Sequence, residues 1–325
     1  MATPYSTMFS SNYQPITTPI FQNKCGAVYL GKCEEILSNP EFLAKYQGKI
    51  QLIFTSPPFP LNQKKKYGNH QGDEYLKWLG EFGPLFAKYL KPNGSIVMEI
   101  GNAWEKGSPT QSILPYQALF SFLQAGNFKL CQEITYYNPA RLPSPAQWVT
   151  IERIRLKDST SKVWWMAKTD KPKADNRKVL KPYSPAMNSL LKRGTYNSGK
   201  RPSEHNISEK SFLEDNGGAI PPNLVEAANT SSSSVYQSFC REHDIERHPA
   251  RMPEKLAEFF VQFLTDKGDL VLDPFSGSNT TGLVANKLGR KWLSIEAMPH
   301  YAASGVANFD ESIANLLLKT YCPKN

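Results

Sequence analysis

The sequence predicts an α/β protein: a largely parallel sheet, covered by helices on both faces and interrupted by one irregular basic segment. Three observations carry that prediction. Short apolar runs alternate with helical stretches over residues 28–137 and again over 253–318, as parallel strands joined by helical crossovers do. Between the two blocks, near Pro172, the periodicity stops. Within 171–210 there are ten Lys and Arg against three Asp and Glu, so most of the chain's net charge of +9 lies in that stretch.

The elements follow in order. Residues 1–22, punctuated by Ser, Thr, Pro and Asn, are expected to form a loosely held arm. A first core part, 23–170, holds a strand at 28–30, a helix at 33–45 and a buried strand, Ile-Gln-Leu-Ile-Phe-Thr, at 50–55. It continues with a helix at 73–90, a strand at 95–100, a helix at 112–125 and a strand at 128–137. Residues 171–245 contain several Pro and Gly and the serine run 231–234, and form a separate basic module. The plainer alternative for it is a solvated insertion. A second core part, 246–325, carries a helix at 253–265, a strand at 269–273, a helix from about 279, a strand at 291–296 and a helix at 299–318.

Composition narrows the function. A chain of 325 residues with 40% hydrophobic and 12% aromatic residues has ample material for a core, which excludes disorder throughout. The cationic excess suits a polyanionic partner. No apolar run approaches the roughly 18 residues of a membrane span, and the start lacks a signal sequence, so a soluble intracellular protein is expected. The five cysteines, Cys25, Cys33, Cys131, Cys240 and Cys322, are scattered and never spaced Cys-x-x-Cys, so neither a zinc site nor a disulfide framework is expected.

Two motifs carry chemistry. The first is the apolar strand that ends in Asp273 and enters the turn Pro274, Phe275, Ser276, Gly277, Ser278, Asn279, Thr280, Thr281. Such a turn beyond the carboxyl end of a strand lets the backbone approach a nucleoside. The next apolar strand closes on a second acid, Glu296, placed to accept ribose hydroxyls. No Gly-Lys-Ser/Thr follows, so a triphosphate cradle is missing. The second motif is Ser56-Pro57-Pro58-Phe59, at the end of the 50–55 strand. Two successive prolines fix the backbone and hold the carbonyls of Ser56 and Pro57 outward. A hydroxyl and a fixed carbonyl that accept the two hydrogens of an exocyclic amine draw its nitrogen toward tetrahedral geometry and free its lone pair. Phe59 offers a stacking face for the ring.

Together with His248-Pro249-Ala250-Arg251-Met252-Pro253, these motifs resemble the DNA amino-methyltransferases that use S-adenosylmethionine. The serine-first motif is typical of their cytosine-N4 group, and the order, with the amine motif early and the cofactor turn late, matches the beta class. Further runs are similar to the PvuII-type modification enzymes, among them Lys65-Lys66-Tyr67-Gly68-Asn69, Leu142-Pro143-Ser144-Pro145 and Val163-Trp164-Trp165. The resemblance implies a Rossmann-like sheet of seven strands with one antiparallel. It implies that S-adenosyl-L-methionine lies near Tyr29, His248, Pro249, Ala250, Arg251 and the turn 273–281, with its ribose on Glu296. It implies a cytosine flipped out of duplex DNA onto residues 56–59. The basic module becomes the candidate target-recognition region, with Arg193, Lys200 and Arg201 among the residues that contact DNA, and Lys64, Lys65 and Lys66 beside the flipped nucleotide. A restriction endonuclease as genetic partner and a place in the cytoplasm of a prokaryotic cell, at the nucleoid through DNA, follow from the same resemblance.

One departure stands out. The family commonly reads Tyr-x-Gly-Asp in its first strand, and here Tyr29-Leu30-Gly31 precedes Lys32, which cannot accept a hydrogen bond from an adenine amine. That contact is expected to be lost, moved to Glu34 or Glu35, or made by backbone. A C5 methyltransferase is excluded, because no Pro-Cys nucleophile exists. Adenine-N6 methylation, with the same chemistry, and an inactive DNA-binding module are the alternatives.

Overall fold

A computed structural model of the chain describes residues 17–59, 70–208, 212–230 and 233–323. In chain order the first elements are β1 (Phe21–Gln22), β2 (Gly26–Leu30), α1 (Cys33–Ser38), α2 (Pro40–Tyr46), β3 (Ile50–Thr55), α3 (Gly72–Tyr89), β4 (Leu90–Gly101), α4 (Leu114–Gly126), β5 (Lys129–Tyr137) and β6 (Thr160–Ala167). Then come α5 (Pro185–Arg193), β7 (Gly199–Lys200), β8 (Asn206–Ile207), β9 (Leu224–Glu226), α6 (Val235–Glu242) and α7 (Glu254–Leu264). The last are β10 (Leu270–Asp273), α8 (Thr280–Lys287), β11 (Lys291–Glu296), α9 (Pro299–Val306) and α10 (Glu311–Tyr321).

Among the described residues the main sheet has nine strands, in the order β1-β2-β11-β10-β3-β4-β6-β5-β9. Seven of them reproduce the expected arrangement, with β6 antiparallel to both β4 and β5. The two additional strands are short edges: β1 has two residues and lies antiparallel on β2, and β9 has three and lies parallel to β5. The strand β6 has no counterpart among the sequence-predicted elements.

All six residues of β3 are buried, as expected for a strand covered on both faces. The alternation of strand side chains splits them between two cores. Leu52 and Phe54 pack with Phe260, Val261 and Leu264 of α7, whereas Ile53 packs with Phe82 and Phe86 of α3 and Phe122 of α4. Connections leave the middle of the sheet in opposite directions, β3 to β4 on one side and β10 to β11 on the other. The switch point thus lies between β3 and β10, where open α/β sheets present their ligand crevice.

Several elements differ from expectation for local reasons. The single helix over 33–45 is two, because Pro40 has no N–H to continue a helix and Asn39 caps the second, accepting from Glu41 and Phe42 N–H. The helix over 299–318 is likewise two, restarted where Asp310 accepts from Ile313 N–H. The end of the expected arm is part of the sheet, with Phe21 buried and stacked on Phe309 at 5.6 Å. Residues 223–245, expected in the basic module, belong with the core: β9 extends the sheet, and Phe239 of α6 is buried in the first core cluster.

The second compact unit is therefore shorter than 171–245 and spans Asp175–Pro222. It contains a short 3-10 turn, α5 and the β7–β8 hairpin. Lys181 bridges to Ala219, the Tyr183 hydroxyl accepts from Asn216 N–H at 2.8 Å, and Tyr196 meets Phe212 edge-on at 5.4 Å. No residue of α5 is buried.

Candidate active site

The two predicted motifs meet at the switch point. Thr55, the last residue of β3, donates its hydroxyl to Asp273 Oδ1 at 2.8 Å. Asp273, the last residue of β10, also accepts from Thr281 Oγ1 on Oδ2 at 2.7 Å and from Phe275 N–H at 3.2 Å. This buried carboxylate thus ties one strand end, the turn after the other and the first turn of α8. Burial pushes it up to about 6, and the three hydrogen bonds oppose that rise.

Ser56 follows directly, and its hydroxyl donates to Glu99 Oε2 at 2.6 Å. Glu99 lies on the neighbouring strand β4 and is buried. Burial raises its pKa, while hydrogen bonds to Ser56 and Ser161 and the charge of Arg141 lower it. Because the Ser56 proton is committed to Glu99, its oxygen lone pairs are left to accept. Phe59 packs against Gly101 at the end of β4, where a Cβ would stand 2.5 Å from the ring. Only glycine allows that approach.

On the other side of the switch point, Glu296 ends β11 and holds the turn. Its Oε2 accepts from Gly277 N–H and its Oε1 from Met298 N–H, both at 2.8 Å. Burial pushes Glu296 up to about 7, and the charge of Asp273 adds to the rise. A third backbone group, Ala297 N–H, also hydrogen-bonds this carboxylate. Gly277 adopts φ +49°, and a Cβ there would press on the His248 ring at 3.1 Å. His248 itself packs edge-on against Tyr301, and burial pushes it down to about 4, so it is neutral. Phe275 packs against Trp78 and Phe82 of α3.

Other predicted residues hold the turn together. Asn279, buried with φ +59°, accepts from Ser294 Oγ at 2.6 Å. The carbonyl of Ser278 accepts from Asn308 at 2.9 Å. The Tyr29 side chain is committed to packing, with its hydroxyl on Tyr46 at 3.1 Å and Phe42 edge-on. Lys32 pairs with Glu35 at 3.8 Å, and Glu34 accepts from Trp78 Nε1 at 2.9 Å. A cavity of about 360 Å³ is lined by Arg251, Ser278 and Thr280 together with Pro139, Glu226 and Asn229. It lies on the His-Pro-Ala-Arg side of the turn, and neither Ser56 nor Glu296 lines it.

Lys64, Lys65 and Lys66 lie outside the described residues. Arg193, Lys200 and Arg201 are in the second unit, each with a local partner: Thr195 O, Glu204 and Asn197 O respectively. Sequence reasoning missed Glu99, whose only local signal is an acid inside an otherwise apolar strand. Glu226 and Asn229, which line the cavity, lie in a segment with no chemical motif.

Known proteins resemble the chain as a whole. The family model described as DNA methylase, N6_N4_Mtase, matches residues 50–307, most of the chain. The chain belongs to this DNA methylase family. It is 43% identical over 294 residues to the Type II methyltransferase M.PvuII of Proteus hauseri, covering 90% of this chain and 85% of that one. With the Type II methyltransferase M.BglII of Bacillus subtilis it shares 26% over 286 residues, covering 85% and 70%. The solved structure of the PvuII DNA methyltransferase, described as cytosine-N4-specific, superposes with a TM-score of 0.74 at 36% identity, covering 96% of this chain and 98% of that one.

Proposed function

We propose that this methylase transfers a methyl group from S-adenosyl-L-methionine to the exocyclic N4 of a cytosine flipped out of duplex DNA. The observation that carries the reading is the 2.6 Å hydrogen bond from Ser56 to the buried Glu99, at the strand end joined through Thr55 and Asp273 to the Gly277 turn. A solved structure that it matches over 96% of its length is described as a cytosine-N4-specific DNA methyltransferase.

The residues present fit the methyl donor. Glu296, held by three backbone N–H groups, can still accept from a ribose hydroxyl, Gly277 leaves room beside a neutral His248, and Arg251 with Ser278 and Thr280 lines a cavity for the methionine end. When bound, S-adenosyl-L-methionine supplies an electrophilic methyl group on a positively charged sulfur.

The protein's own residues do the rest. The Ser56 oxygen and a carbonyl fixed by the Pro57-Pro58 pair accept the two amine hydrogens, and Phe59 holds the ring by stacking. Glu99, whose burial favours the protonated form, takes up the proton released from the methylated nitrogen by way of the Ser56 hydroxyl. Much of the acceleration comes from holding the two reactants in line. Arg193, Lys200 and Arg201 in the Asp175–Pro222 unit, and Lys64 to Lys66, neutralise DNA phosphates. The enzyme acts in the prokaryotic cytoplasm, at the nucleoid, as the protective half of a restriction–modification pair. The test is incubation of duplex DNA with the protein and labelled donor, then digestion to nucleosides. N4-methylcytosine is the expected product; N6-methyladenine alone, or no transfer, overturns the reading.

A further inference from the structure

The segment between β5 and β6 leaves more apolar surface in water than its fold requires. Leu142 is 80% exposed, Ile151 69%, Ile154 59% and Leu156 89%. An isolated exposed leucine needs no explanation, but four large aliphatic side chains on one loop mark a contact surface. The same loop carries Arg153 and Lys157, both exposed, and Arg155 stacked over the Trp104 ring at 3.0 Å. Arg155 Nη1 is buried without a hydrogen-bond partner among the described residues. Cations interleaved with apolar side chains suit a polyanion that also has an apolar interior, and DNA has both.

The loop is anchored at the candidate site. Its ends are closed by Asn138 N–H on Ser159 O at 2.8 Å. Asn102, next to the Gly101 that Phe59 covers, donates to Asp158 at 2.8 Å. Arg141 donates to Ser161 Oγ at 2.9 Å, and Ser161 is a partner of Glu99. Loop and amine-binding motif are therefore held by the same strand ends.

Resting on the methyltransferase reading above, we propose that residues 139–158 form a wedge that enters the duplex beside the target cytosine. Its aliphatic side chains occupy the space that the extruded base vacates, and its cations hold the flanking phosphates. Extrusion costs unstacking and unpairing, and an inserted apolar side chain offsets part of that cost.

The experiment compares wild type with the Ile154→Ala/Leu156→Ala variant on two duplexes. Both carry the site found by mapping modified cytosines in DNA from cells that express the chain; the second has an abasic position opposite the target. On the paired duplex kcat/KM is expected to fall about tenfold, and on the abasic one, where little extrusion cost remains, to change less than about twofold. Leu142→Ala, on the other limb of the loop, gives the same comparison independently, and donor binding by all variants reports an intact core. Equal activity on the paired duplex, or equal loss on both, overturns the wedge. So does a loss of self-association with unchanged methylation, which assigns the patch to protein docking. A wild-type chain that methylates no cytosine overturns the underlying reading instead.

Discussion

The Ser56 hydroxyl has one proton, and Glu99 holds it. Ser56→Ala is expected to lower turnover about 10²-fold or more while donor affinity changes little, because the hydroxyl acts on the base and not on the donor. Glu99→Gln retains an acceptor for the serine but cannot take up a proton, and a loss of similar size is expected; single-turnover methylation beside calorimetric donor binding measures both. Lys32 offers no acceptor to an adenine amine, so Lys32→Asp is expected to tighten donor binding, and an unchanged or weaker affinity removes the case for rearranged adenine recognition. Asp273 and Glu296 give a pH signature. Their folded-state values, about 6 and about 7, lie above the ordinary carboxylate values, so the fold favours their protonated forms. Their contribution to stability is fully present below about pH 4 and is lost as pH rises through about 6 and about 7. Donor binding runs the other way, since an ionised Glu296 is the better acceptor for ribose hydroxyls. Affinity is expected to weaken as pH falls from 8 to 6, and Glu296→Gln to flatten that profile in calorimetry.

At the scale of elements, the hydrogen bond between Thr55 and Asp273 spans 218 positions of sequence and joins β3 to β10. Thr55→Val keeps the shape and removes one of the two hydrogen bonds on Asp273 Oδ1, which keeps Phe275 N–H, with an expected cost of about 1 kcal/mol in denaturant unfolding. The motifs themselves were legible because each is a contiguous apolar run followed by its turn. Helix boundaries at Asn39–Pro40 and Asp310 were legible in principle from capping chemistry, yet continuous apolar periodicity across them masks the breaks. The strand β6 escaped because its neighbours in sequence are a long loop and the basic segment, so no alternation frames it. Its role is nevertheless central: Val163 pairs with Glu99, and Ser161 reaches that carboxylate.

For the whole molecule, charge sets the response to salt. The Asp175–Pro222 unit holds eight basic and five acidic residues, so its excess is smaller than the 171–210 count implies. Lys173, counted there, is engaged in the core by Asp266 and Asp269 at 2.6 Å. Replacing Arg193, Lys200 and Arg201 by Gln is expected to reduce the slope of log affinity against log salt by up to about 3, read from DNA binding between 50 and 200 mM salt, and an unchanged slope takes these three off the phosphates. What the sequence determined alone was everything written in neighbouring residues: the α/β alternation, the donor turn, the amine motif and the basic excess. Which strands lie side by side is decided by burial of both sheet faces, a property of the folded chain. That order alone brings Glu99 to Ser56, Asp273 to Thr55 and Ser161 to Glu99, because partners distant in sequence leave no local pattern to read.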